Sequence, residues 1–326
     1  MKLLVTGAAG FLGRELTRAL LAQSQFNGQA IASIMLTDQV AVTDTVALDD
    51  RRVQVHQGDL LDSLPELFES VYDAVFHLAS AVSAECEADF SLGLRANLAT
   101  TEALLEHLRT QHTETGVVAT LFFASSVAVF GGDAGVPLPD VITDTTLPVP
   151  QSSYGVHKFV CEQLIADYTR KGFIDGRVAR LMTVSVRPGR PNGAASSFLS
   201  GIIREPLAGE PAICPVDPDT RVALASPGNT IAGILRVAQA TRQELAGRTA
   251  INLPALSLTV ADMLASLEDI AGTQTRALVT IEEDDAIGAV VGGWPGAFKT
   301  DRAASLGLLA DASFHDIIHQ YIESLE

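Results

Sequence analysis

Short apolar runs, separated by stretches of helical spacing, recur along this chain. Residues 2–6, Lys2-Leu3-Leu4-Val5-Thr6, read as a strand, and residues 14–21, with leucines at 16, 20 and 21, read as a helix with one apolar face. Further strands are predicted over 29–38, 53–60, 74–80, 120–126 and 177–186, with helices over 92–109 and 154–170 between them. Strands alternating with helices predict βαβ units. Near-continuous apolar strands such as Leu121-Phe122-Phe123-Ala124 suit a sheet covered on both faces. The expected class is α/β: a Rossmann-type, doubly wound parallel sheet in residues 1–186.

Beyond Pro188 the pattern loosens. Pro206, Pro211, Pro215, Pro218 and Pro227 punctuate it, a helix is expected over 196–207 and another over 229–243, and 257–264 reads as a helix entry with a threonine cap. Residues 187–326 are expected to form a smaller, irregular substrate-binding and lid region, partly interleaved with the first.

At 326 residues, 47% apolar and 19% charged, the chain can bury a large core and is not of disordered composition. A net charge of −17 argues against nucleic acid or an anionic membrane as partner. No apolar run has the length of a membrane span, and the opening strand leaves no expectation of a signal peptide. Three cysteines, Cys86, Cys161 and Cys214, lack metal-ligand spacing and read as thiols in a reducing cytoplasm. No metal is expected.

Two motifs carry chemistry. Gly7, Gly10 and Gly13 lie between the first strand and the first helix, with Phe11 and Leu12 opening that helix. In that context glycines give a tight turn and let the backbone approach a pyrophosphate, which sits where free N–H groups and the helix dipole favour an anion. Farther on, Tyr154 stands four residues before Lys158. On a helix these side chains share a face, and an ammonium beside a phenol favours the phenolate, so the tyrosine is expected to have a lowered pKa and to act as a general base.

The order Thr6–Gly13, Gly58-Asp59-Leu60, His77-Leu78-Ala79-Ser80, Ser125-Ser126, Tyr154-x-x-x-Lys158 and Arg187-Pro188-Gly189 resembles the extended short-chain dehydrogenases/reductases, the superfamily of NAD-dependent epimerases and dehydratases. The stretches 184–192, 194–198, 202–209 and 218–221 are most similar to its D-erythronate dehydrogenase group. The resemblance covers essentially the whole chain. It implies NAD as cofactor, with Asp38 accepting from the adenosine ribose and repelling a 2′-phosphate. It places Asp59 and Leu60 beside the adenine. Leu78, Ala79 and Ser80 fall along the middle of the cofactor, Ser125 and Pro188 near the nicotinamide end, and Asn97 beside the lysine. Ser126, counted back from Val129-Phe130-Gly131, takes the place of the catalytic hydroxyl; Tyr154 is the base, and Lys158 holds the ribose.

A small sugar acid also needs a carboxylate clamp. Arg221 is the leading candidate, because a guanidinium grips a carboxylate through two hydrogen bonds. Arg187, Arg190, Asn192 and Ser80 are further substrate candidates. His77 reads as a packing histidine, and Trp294 either covers the pocket or plugs a loop. The resemblance further implies a homodimer, through a bundle of the helices near Leu98 and Val160. Three readings follow: an NAD-dependent dehydrogenase forming a 2-keto acid, a sugar-nucleotide epimerase or dehydratase that retains its NAD, and a non-enzymatic sensor, which the presence of both Tyr154 and Lys158 disfavours.

Overall fold

The computed structural model describes residues 1–189 and 195–325; Arg190 and Asn192 lie outside the described residues. In chain order its main elements are β1 (Lys2–Thr6), α1 (Phe11–Gln23), β2 (Ser33–Asp38), β3 (Val53–Gln57), α2 (Leu60–Leu67), β4 (Ala74–His77), α3 (Thr100–Thr115), β5 (Thr120–Ser126), α4 (Ser153–Arg170) and β6 (Asp175–Leu181). There follow β7 (Thr183–Val184), α5 (Phe198–Leu207), β8 (Arg221–Ala225), α6 (Pro227–Gln239), β9 (Ile251–Asn252), β10 (Leu256–Thr259), α7 (Val260–Arg276), α8 (Asp285–Gly292) and α9 (Phe314–Glu323).

Seven parallel strands form the central sheet in the order β9-β6-β5-β4-β1-β2-β3. From β1 the chain builds outward through β2 and β3, then crosses to β4 on the other side. The crevice between the ends of β1 and β4 is therefore the topological switch point, where ligands of such sheets bind. Leu3, Leu4 and Val5 of β1 and Phe122 of β5 are wholly buried, as strands covered on both faces require. Helix α1 buries Gly13, Leu16, Thr17, Leu20 and Leu21, a stripe at helical spacing.

Several boundaries differ from the sequence expectation: the strand of 53–60 ends at Gln57, that of 74–80 at His77, and the helix of 229–243 at Gln239, and three further departures have plain causes. The strand expected over 29–38 is split: Gln25–Phe26 and Gln29–Ala30 form a tight hairpin, and only residues 33–38 join the sheet. Asn27 and Gly28 both adopt positive φ, 50° and 73°, the turn that an Asn-Gly pair favours. The apolar run after residue 177 divides between two sheets, β6 in the large one and β7 in a small one ordered β7-β8-β10. The threonine cap is present, with Thr259 Oγ1 accepting from Asp262 N–H at 3.1 Å, but residues 256–259 are strand and the helix starts at Val260.

The core follows the same division. One apolar cluster joins α1, the sheet and α6, so residues after 226 return to cover the first unit. A second joins α5, β8, α7 and α9 and includes the half-buried Trp294. Among the described residues, no helix is long and apolar enough to cross a membrane.

Candidate active site

The glycine turn is shaped by close approach. Gly7 has φ 70°, and a Cβ there would lie 2.7 Å from the Ala79 nitrogen; a Cβ on Gly13 would lie 2.2 Å from the Gly7 carbonyl oxygen. Gly10 caps α1 without a side-chain hydrogen bond, leaving the first N–H groups at Phe11, Leu12 and Gly13 to face an anion. Asp38, at the end of β2, accepts from Ala9 N–H at 3.0 Å and from Val40 N–H at 3.0 Å, which fixes its carboxylate against this turn. A cradle that a single methyl would fill, a free helix N-terminus and an anchored acid together fit a dinucleotide with an unphosphorylated adenosine ribose.

Across the crevice, Ala79 N–H donates to Thr6 Oγ1 at 3.2 Å. Thr101 Oγ1 donates to the Asn97 carbonyl at 2.6 Å, so it accepts from His77 Nε2–H at 3.0 Å; the bare Nδ1 then accepts from Thr6 Oγ1 at 2.8 Å. Burial, reinforced by the charge of Lys158, pushes the His77 pKa down to about 3. His77 is thus a neutral structural histidine that ties the end of β1 to the helix carrying Asn97.

Asn97 lies in a turn of π-helix, Leu94–Ala99, where Thr100 N–H bonds back to the Arg95 carbonyl; single π turns often mark functional sites. Its Oδ1 accepts from Ser80 Oγ at 2.9 Å and Ala81 N–H at 2.8 Å, and its Nδ2 donates to the Ala81 carbonyl at 3.2 Å. Asp59 is exposed: it caps α2 through Asp62 N–H and meets Arg95 at 3.2 Å, with Leu60 half-buried beside it.

Helix α4 begins where Ser152 Oγ accepts from Gly155 N–H at 3.1 Å and Glu87 accepts from Ser153 N–H at 2.8 Å. It presents Tyr154 and Lys158 to the end of β5. Lys158 is buried; its ammonium donates to the Ala124 carbonyl at 2.8 Å and lies 4.6 Å from the Phe123 ring centre and 5.5 Å from that of Tyr154. Burial pushes its pKa down to about 8. Ser126 Oγ accepts from Ala128 N–H at 3.1 Å and lies near enough to the Tyr154 phenol to favour its ionised form. The expected lowering of the phenol is reversed in the protein's own field: burial pushes Tyr154 up to about 12, and the nearby Ser126 hydroxyl opposes it only in part.

Ser125, one residue earlier on β5, donates to Glu162 at 2.5 Å. Glu162 in turn grips Arg180 through two bonds, at 2.9 and 2.6 Å, and Arg180 lies over the Phe130 ring at 4.8 Å. Sequence reading missed this buried pair. Glu162 continues the Tyr154–Lys158 spacing by one more turn, which is a signal, whereas Arg180 becomes its partner only through sheet pairing. Pro188 and Arg187 sit in the loop after β7; Arg187 is half-buried beside Arg204, and burial and that second cation lower its pKa.

Beside β8 lies a cavity of about 590 Å³ lined by Asp140, Thr220, Arg221, Trp294 and Gly296, among others. Arg221 Nη1 donates to Ser257 Oγ at 3.4 Å. Asp140, Thr183 and Val127 also line this region and have no sequence signal of their own. Among the described residues, no cluster of three His, Cys, Asp or Glu side chains could hold a metal.

A glycine cradle at the switch point and a Ser–Tyr–Lys set at the neighbouring strand end define an NAD-dependent dehydrogenase of the short-chain type. The chain belongs to the NAD dependent epimerase/dehydratase family, whose signature matches residues 3–253. It is 47% identical to D-erythronate dehydrogenase of Cupriavidus necator, over 99% of this chain and 98% of that protein. It is 40% identical to D-erythronate dehydrogenase of Haemophilus influenzae, over 99% of both. A crystal structure described as a nucleoside-diphosphate-sugar epimerase from Agrobacterium tumefaciens superposes with a TM-score of 0.92 at 36% identity, covering 99% of this chain and 94% of that one.

Proposed function

We propose that this chain oxidises the C2 hydroxyl of D-erythronate, or a closely related small aldonate, to the 2-keto acid with NAD. The observation that carries this reading is the Ser126–Tyr154–Lys158 set beside a dinucleotide cradle, in a chain alike over nearly its full length to two D-erythronate dehydrogenases. Gly7, Gly10, Phe11, Leu12 and Gly13 hold the pyrophosphate, Asp38 the adenosine ribose, Asp59 and Leu60 the adenine. Leu78, Ala79, Ser80, Asn97, Ser125 and Pro188 line the rest of the dinucleotide's path. NAD, when bound, supplies the acceptor for the hydride leaving C2 and a positive ring charge beside the phenol.

The protein's own groups manage the proton. Ser126 Oγ orients the C2 hydroxyl, and Tyr154 Oη takes its proton. Lys158 donates to the ribose and, as a cation on the same helix face, offsets part of the cost of a buried phenolate. Ser80 stands with Ser126 and Tyr154 on the substrate side, and Arg221 grips the carboxylate, with Arg187 as a second cation. Asn192 is assigned to the substrate on sequence grounds alone.

We place the enzyme in the cytoplasm as a homodimer. Exposed Phe90, Leu94, Val156 and Val160, on adjoining elements that include α4, supply the apolar surface for a helical bundle between two copies.

The test is a panel of four- to six-carbon aldonates with NAD and with NADP, followed by release of the reduced coenzyme. Oxidation of a four-carbon acid with NAD is expected, and Tyr154→Phe should lower turnover by about 10²–10⁴-fold with NAD affinity nearly unchanged. A protein that retains NAD and releases none reduced would instead be a dehydratase or an epimerase, the latter being the activity named for the structure from Agrobacterium tumefaciens.

A further inference from the structure

Arg221 and Trp294 line two cavities at once. The outer one, of about 590 Å³, also meets Asp140 and Thr220. The inner one is a narrow cleft of about 20 Å³ bounded by Val127, Thr183, Val222 and Pro295. Val127 follows Ser126 directly in the chain, so one wall of the cleft adjoins the strand end that carries Ser126. It holds roughly one water, and its far wall is the indole and the arginine stem.

That wall is built to stay in place. Trp294 packs on the apolar cluster of α5, β8, α7 and α9, and its backbone N–H donates to the Val291 carbonyl at 3.1 Å. Pro295 after it is buried. The Gly296 carbonyl accepts from Ser257 Oγ at 2.6 Å, the same hydroxyl that receives Arg221 Nη1. A Cβ on Gly296 would stand 2.8 Å from Arg221 Cγ, so glycine there lets the turn and the arginine stem meet. One residue on, the Ala297 carbonyl accepts from Ile142 N–H at 2.9 Å, and Phe298–Lys299 pairs with Ile142–Thr143 as a short parallel bridge. Anchors on both sides fix the Trp294-Pro295-Gly296 turn.

We infer that Trp294 sets the chain length of the acid, a reading that rests on the sugar-acid oxidation proposed above. Whichever end of the substrate enters the cleft meets the indole after about one group, and a longer chain must displace it. Removing the indole joins the cleft to the outer cavity, where the Asp140 carboxylate and Thr220 can receive additional hydroxyls.

The experiment compares kcat/KM for four-, five- and six-carbon aldonates in the wild type, Trp294→Ala and Trp294→Phe, with thermal melting to confirm folding. Wild type should prefer the four-carbon acid. Trp294→Ala should raise the six- to four-carbon ratio by about tenfold or more, a range typical of pocket discrimination by single groups, and Trp294→Phe should raise it less. If Trp294→Ala does not fold, a rise in the ratio with Trp294→Phe supports the inference and an unchanged ratio overturns it. A folded Trp294→Ala that oxidises the four-carbon acid with an unchanged ratio also overturns it and leaves the activity standing. A wild type that oxidises no four-carbon acid overturns the activity and the inference together.

Discussion

The coenzyme choice proposed for Asp38 rests on one carboxylate whose position the backbone dictates. Asp38 is held by Ala9 N–H in the glycine turn and by Val40 N–H in its own loop, so it cannot swing away to make room for a phosphate. Replacing it with serine should lower the preference for NAD over NADP by about tenfold or more, the worth of a charged hydrogen bond, measured as the ratio of kcat/KM with the two coenzymes. His77 makes a different kind of prediction. Its native pKa of about 3 lies below the roughly 6.5 of an unfolded histidine, so between these values the unfolded chain binds the extra proton. Stability from this group is therefore full above pH 6.5 and is lost as pH falls toward 3. Melting curves of wild type and His77→Gln should converge on going from pH 7 to pH 5, and parallel curves would contradict the neutral, Nε2-protonated ring. Sequence made Tyr154, Lys158 and the glycines legible because their spacing is local. It did not show that burial governs the phenol and that Ser126 opposes it only in part, since desolvation depends on residues far away in sequence.

At the scale of elements, the strands and helices of the first half were readable from period and punctuation, and the departures have plain causes. The Asn27-Gly28 turn ends one strand early, and a single apolar run after residue 177 serves two sheets. The π turn at Leu94–Ala99 left no mark in the pattern, yet it orients Asn97 toward Ser80 and Ala81. Helix α4 works on two sides: Tyr154 and Lys158 face the sheet end, while Val156 and Val160 are exposed. For the homodimer proposed above, Val160→Asp should therefore shift the mass in light scattering from dimer to monomer, and a dimer unchanged in mass would remove α4 from the interface.

Across the whole molecule, the two apolar clusters explain how one chain combines a dinucleotide cradle with a separate substrate wall. The first cluster reaches into the last third of the chain through α6, and the second carries β8, Trp294 and the helices that hold them. The proposed carboxylate clamp and aromatic wall, Arg221 and Trp294, line one cavity from segments more than seventy residues apart, which is why sequence named both and could not join them. The charge of −17 makes that local cation more important, because a small anionic substrate must find it against an unfavourable field. The central claim is transfer of a hydride from C2 to a coenzyme that then leaves. A four-carbon sugar acid carrying deuterium at C2, incubated with NAD and the enzyme, tests it most directly: deuterium should appear mole for mole in released NADH, whereas deuterium retained in the sugar acid with no free NADH would contradict it.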